Sequence, residues 1–222
     1  PRTLASLASL ITLFSEEGDG VIVQPPVFYD FKKTISANKR RLVKNPLRFE
    51  DGVYQMDFEH LESVASNPKN SLLILCNPHN PIGRVWSKAE LSKLSGICAA
   101  NNVFVIADEI HGDITYQRDY TPLASISGDA SRNCATCISP NKSFNLAGVA
   151  NSMIVIDDDE KRTQCENWFR RLGINKNNVF TTAAMLSAYT DGEFWLDQVI
   201  DYLAGNIDAL RQFLRRRIPS VK

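Results

Sequence analysis

Neither sign of charge prevails in this 222-residue sequence: 25 Lys+Arg stand against 25 Asp+Glu. Without an excess of cations there is no overall electrostatic footprint for nucleic acid or an anionic membrane surface. Long apolar runs are also lacking. Leu72–Cys76 and Val103–Ala107 are the longest, far short of the roughly 18 residues that mark a bilayer-crossing helix, and no charged-then-apolar leader opens the chain. A cytoplasmic protein is therefore expected. Disulfide frameworks need an even set of cysteines, whereas Cys76, Cys98, Cys134, Cys137 and Cys165 are five at irregular spacing, which suits reduced thiols. Cys134-Ala-Thr-Cys137 has half the form of a redox or zinc motif. No second such pair or suitably spaced His pair completes it, so buried structural thiols are expected. Repeats and low-complexity linkers are missing as well. With 44% hydrophobic and 23% charged residues, the composition is that of a globular chain.

What is present alternates between helix and strand. Leu4, Leu7, Ile11 and Phe14 form a helical stripe, Gly18-Asp19-Gly20 breaks it, and Val21–Val23 is a short buried strand closed by Pro25-Pro26. The pattern then predicts a helix over Tyr29–Asn38, a strand over Arg40–Val43 and a helix capped by Asp57. Leu72–Cys76 is a fully apolar strand, and Ser87-Lys-Ala-Glu90 is a capping box opening a helix to about Ala100. Val103–Ala107, Cys134–Ile138 and Ser152–Ile156 are further strands, and helices follow from about Asp157. The last of them sets Tyr202, Ile207, Leu210 and Leu214 on one side and ends in Arg215-Arg216-Arg217, a solvated helix end that suits the dipole. Apolar strands without strict alternation are buried on both faces, so the fold class is α/β, a three-layer α/β/α arrangement around a mainly parallel sheet.

In such sheets reactive groups gather beyond the carboxyl ends of strands. Three of those ends supply different polar groups: Asn77-Pro-His-Asn80-Pro-Ile-Gly83, Asp108-Glu-Ile-His111, and Ser139-Pro-Asn-Lys142. An amide, a carboxylate and a lysine can together surround one polar heteroaromatic ring, and pyridoxal 5'-phosphate requires this set. Lys142 is the candidate for the Schiff base, provided that burial and nearby positive charge free its amine. Asp108 can keep the pyridine nitrogen protonated so that the ring withdraws electrons. Asn80 can face the ring hydroxyl. Ser139 and Thr3, the latter at the start of the first helix, can meet the phosphate.

Asn77–Gly83, Ala107–His111 and Ser139–Gly148, taken in order, resemble the fold-type I pyridoxal-phosphate enzymes of the class I/II aminotransferase superfamily. The group most similar is that of the cystathionine β-lyases, or carbon–sulfur β-lyases, and the likeness extends through Gly18–Val21, Asn80–Trp86 and Phe194–Asp197. It implies that Lys142 is the catalytic Schiff-base lysine, with Asp108 on the pyridine nitrogen and Asn80 on the ring hydroxyl. It further implies that Phe28 stacks on the ring, where the lyases usually have tyrosine, and that His111 takes a place often filled by tyrosine. Asn141 stands where serine commonly precedes the lysine, and Ala150 where aspartate aminotransferases carry a phosphate-binding arginine. By the same likeness residues 1–222 are the cofactor-binding large domain, without the N-terminal segment and the C-terminal small domain, and the protein is a homodimer acting on a small sulfur-containing amino acid.

Other readings of these residues are weaker. Val105–His111 also resembles the acidic box of a helicase-type NTPase, but that chemistry needs a phosphate loop and no Gly-Lys dipeptide occurs. A metal site from Asp108, His111 and Asp113 has no second ligand cluster to complete it. The motifs do not separate a β-lyase from an aminotransferase, and a truncated, inactive domain is the alternative of a different kind.

Overall fold

The computed structural model describes residues 3–116, 120–176 and 178–220. In chain order the elements are α1 (Thr3–Leu13), β1 (Gly20–Val23), α2 (Asp30–Ala37), β2 (Arg41–Lys44), β3 (Arg48–Glu50), β4 (Val53–Gln55), α3 (Phe58–Ala65), β5 (Asn70–Cys76) and α4 (Lys88–Ala100). There follow β6 (Phe104–Asp108), α5 (Gly128–Arg132), β7 (Cys134–Ile138), α6 (Pro140–Ser143), β8 (Met153–Val155), α7 (Asp159–Arg171), α8 (Val179–Asp191) and α9 (Glu193–Arg217). The helix starts follow their local chemistry. The Asp57 side chain accepts from the backbone N–H of His60 at the head of α3, and Ser87 and Glu90 close a reciprocal capping box on α4.

Six strands form one sheet in the order β2-β1-β5-β6-β7-β8. All neighbours run parallel except β7 and β8, which are antiparallel. Both faces of β1, β5 and β6 are buried, which accounts for their unbroken apolar runs. One face packs Ile74, Ile106 and Ala135 under α1, α2 and α7; the other packs Leu73, Val105 and Cys134 under α3, α4 and α5. The exposed edge strand β2 ends in Arg41 and Lys44, charges that discourage pairing with another chain. All five cysteines are free and buried. Cys134 and Cys137 belong to opposite faces of the sheet, so the motif-like pair serves two separate cores.

The sheet tolerates little at the start of β1. A methyl group on Gly20 would lie 1.9 Å from Asn70 Oδ1 and 2.8 Å from Val43 Cγ2, and Asn70 is held by its amide to the Val64 carbonyl at 2.8 Å. Gly20→Ala is therefore expected to destabilise by roughly 1–3 kcal/mol, as overpacking does, read as a lower urea midpoint at unchanged slope.

Two features depart from the expectations drawn from sequence. The β3–β4 hairpin, antiparallel through Phe49 and Tyr54, was not anticipated. The apolar stripe of the last helix does not face a core: α9 buries none of its residues, and Tyr202 and Leu210 are 71% and 57% exposed.

Candidate active site

The strand order turns back on itself between β1 and β5, with β2 outside β1 and β6 to β8 beyond β5. In a parallel sheet the crevice at that reversal, outside the carboxyl ends, is where ligands bind. The ends of β1, β5, β6 and β7 all open there, and backbone bonds knit the rim: Asn77 N–H donates to the Asp108 carbonyl at 3.0 Å, and Glu109 N–H to the Cys137 carbonyl at 2.9 Å.

Asp108 is the last residue of β6 and is buried. Among the described residues its Oδ1 has no hydrogen-bond partner. Burial pushes its carboxyl up to about 7, against the backbone N–H of Ile110, with the neighbouring Glu109 adding to the rise and the Lys142 charge opposing it. Lys142 therefore lies within electrostatic reach of Asp108. It is also within electrostatic reach of His111, whose basicity is lowered by burial and then by the same lysine. The structure thus brings Asp108, His111 and Lys142 together from two strand ends.

Lys142 sits in α6, a helix of four residues. The expectation of a buried amine is corrected: Lys142 is exposed, lying past the end of β7 and outside the buried ladder. Its neighbours hold the turn instead. Ser139, the N-cap, donates to the Asn151 carbonyl at 2.7 Å and accepts from Asn141 N–H at 3.3 Å. Ser143 is buried and donates to Asp113 Oδ2 at 2.7 Å. Phe144 stacks on Trp195 at 6.2 Å and meets Tyr189 edge-on at 5.5 Å, so the Phe194–Asp197 motif buttresses the lysine turn.

The remaining candidates lie on neighbouring elements. Asn80 follows β5, its backbone N–H donating to Cys76 Sγ at 3.4 Å, and with His111 it borders a cavity of about 860 Å³ that also touches Tyr54 and Arg84. Phe28, after β1, is half-buried, with its ring edge-on to Phe31 at 5.6 Å. Thr3 begins α1. Ser6, one turn along, lies 2.7 Å from Ser152 Oγ, next to the Asn151 carbonyl that receives Ser139, so the head of α1 and α6 meet at one segment.

Several supporting residues escape sequence reasoning. Asn77 is fully buried and ties three loops, donating to the Thr121 carbonyl at 3.1 Å and accepting from Trp86 N–H at 3.3 Å. Glu109 accepts from Leu123 N–H at 2.9 Å and from the Tyr120 hydroxyl, tying both residues to the end of β6. Asp113, weighed above as a metal ligand, is the acceptor for Ser143. His79 is neutral, pushed down to about 4 chiefly by burial, and packs its ring edge-on to Trp86 at 5.4 Å. The Asn-Pro-His-Asn-Pro and Asp-Glu-Ile-His runs contain some of these residues but do not show their partners. The other pairings join residues too distant in sequence to leave a local pattern.

Burial also raises the Glu109 carboxyl, from an ordinary 4.5 to about 7, as it raises Asp108 from 3.8. A carboxyl whose folded value is raised contributes stability that is fully present below its unfolded value and is lost as pH climbs through the folded one. The thermal midpoint of the cofactor-free chain is therefore expected to fall between about pH 4 and about pH 7 by this contribution. Melts across that range check it, and a midpoint climbing steadily to neutrality would contradict it.

Comparison with known proteins identifies the family. The family model for aminotransferase class I and II matches residues 3–221. Cystathionine beta-lyase PatB of Bacillus subtilis is 41% identical, over 100% of this chain and 58% of that protein. Cystalysin from Treponema denticola, whose structure contains pyridoxal 5'-phosphate, superposes with a TM-score of 0.95 at 29% identity, over 98% of this chain and 55% of that one. The pyridoxal-phosphate-bound C–S lyase from Staphylococcus hominis gives 0.92 at 31% identity, over 99% of this chain and 56% of that one. The chain spans about half the length of these relatives. With the family model matched from end to end of the described fold, the chain belongs to the aminotransferase class I and II family.

Proposed function

We propose that this chain is the cofactor-holding large domain of a pyridoxal-phosphate-dependent carbon–sulfur β-lyase. The substrate is cystathionine or a related cysteine conjugate, and the products are a thiol, pyruvate and ammonia. The observation that carries the reading is the buried, unpartnered Oδ1 of Asp108 within electrostatic reach of Lys142, an acceptor that suits the N–H of a protonated heteroaromatic ring. The sequence likeness to PatB and the structural likeness to the C–S lyase favour β-elimination over amino transfer.

When bound, pyridoxal phosphate supplies an electron sink for the carbanion at the substrate Cα. Lys142 would hold the cofactor through Nζ, and the same amine, when free, would take the Cα proton. Asp108 keeps the proton on the pyridine nitrogen. Asn80 would donate toward the ring hydroxyl, Phe28 would pack against the ring and His111 would line the substrate side. Thr3, at the head of α1, and Ser139, by exchanging its bond to Asn151, meet the phosphate. The electron pair of the Cβ–S bond would leave on sulfur, which would take from Lys142 the proton removed from Cα and become the thiol; one water would then hydrolyse the remaining 2-aminoacrylate to pyruvate and ammonia.

The working protein is a homodimer in this reading: Val179, Phe180 and Phe194 are 74%, 81% and 75% exposed, an apolar surface that a second copy can cover. Its five free thiols suit the reducing cytoplasm. The test is uptake of pyridoxal phosphate by the chain, borohydride reduction and peptide mapping, followed by an assay with cystathionine. A fixed label on Lys142 and pyruvate release support the reading. Amino transfer to a keto acid without pyruvate would replace the lyase by an aminotransferase, and cofactor uptake without turnover would leave a binding domain only.

A further inference from the structure

Asp108 has unusual neighbours. In the parallel register Cys76 of β5 faces it on one side and Cys137 of β7 on the other. Register partners in a parallel sheet point to the same face, and both cysteines belong to the core on that face, above a row formed by Ile74, Ile106 and Ala135. The carboxylate therefore ends an apolar column with a thiol on each flank. Thiols are weak donors. Cys76 directs its own S–H to the Pro78 carbonyl at 3.4 Å, and no described group reaches Asp108 Oδ1. A buried carboxylate oxygen flanked by two side chains with transferable hydrogens, yet bonded to neither, is an acceptor kept open.

We propose that Cys137, with Cys76 on the opposite flank, is a positioning residue: its thiol fills the space beside Asp108 without capturing Oδ1, which stays reserved for a ring N–H. The inference rests on the cofactor reading above. A serine at position 137 would put a strong O–H donor in the same place. It would satisfy the carboxylate from within, so that the cofactor must break a bond before making its own.

The experiment compares Cys137→Ser and Cys137→Ala with the native chain, by absorbance titration with pyridoxal phosphate and by thermal melts without it at pH 8. For Cys137→Ser the dissociation constant is expected to rise about tenfold, the equivalent of one competing hydrogen bond of ~1.4 kcal/mol. Its cofactor-free midpoint is expected to rise by roughly 2–4 °C. Cys137→Ala, which offers no donor, is expected to keep its affinity within about twofold even where the lost volume lowers its midpoint. Stability up with affinity down is a combination that mere damage to packing does not produce. Native affinity in Cys137→Ser, or equal losses in both variants, would overturn the proposal. Should the native chain take up no cofactor, the functional reading falls; the melts then decide this inference, and a serine that fails to stabilise overturns it.

Discussion

Lys142→Ala is expected to abolish borohydride-fixed labelling of the chain by pyridoxal phosphate. It is also expected to lower β-elimination by at least ~10²–10⁴-fold, the scale of a lost general base. The whole effect should fall on chemistry. Lys142 is exposed, and the bonds that hold its turn come from Ser139, Ser143 and Phe144, so alanine removes none of them. Stability without cofactor should stay within about 0.5 kcal/mol of native, as for other exposed sites. Peptide mapping after reduction and a parallel melt read both halves. A label that persists on another lysine in the variant would refute the assignment of Lys142.

Asp108→Asn should separate stability from function in opposite directions. Asparagine keeps the shape of the side chain but carries no charge, so it cannot hold a proton on the pyridine nitrogen. Loss of one such preorganised electrostatic partner costs about 10²–10³-fold in turnover. The native carboxylate, however, is buried with one oxygen unpartnered and is held up at about 7. Above that pH the folded chain bears the cost of a desolvated charge that asparagine does not carry. The cofactor-free variant is therefore expected to melt higher than the native chain at pH 8 while losing cofactor affinity and activity, a trade common to sites built for function. A variant that melts lower and binds normally would show that Asp108 is structural.

The local signals of the chain were legible. The capping box at Ser87 and Glu90, the N-cap at Asp57 and the apolar runs of β5, β6 and β7 each arise within a few residues, and all form as expected. The β3–β4 hairpin was hidden because its strands are three residues each and mostly exposed, too short to show a period. The stripe on α9 misled for the converse reason. Its apolar spacing is real, but periodicity reports which residues share a face and not what that face meets. The clamp between Ser143 and Asp113 spans 30 positions and leaves no trace in either segment.

Taken alone, the sequence determined the class of fold and the three strand ends that carry polar groups, and it nominated Lys142, Asp108 and Asn80 at those ends, since each depends on residues adjacent in the chain. Tertiary structure decided the rest. Only the order β2-β1-β5-β6-β7-β8 makes β5, β6 and β7 neighbours, and only their register sets Cys76 and Cys137 beside Asp108 and leaves Oδ1 open. The physical reason is that strands buried on both faces are interchangeable by hydrophobicity. Which strand lies beside which, and at what stagger, is settled by the packing of the whole sheet against its helices.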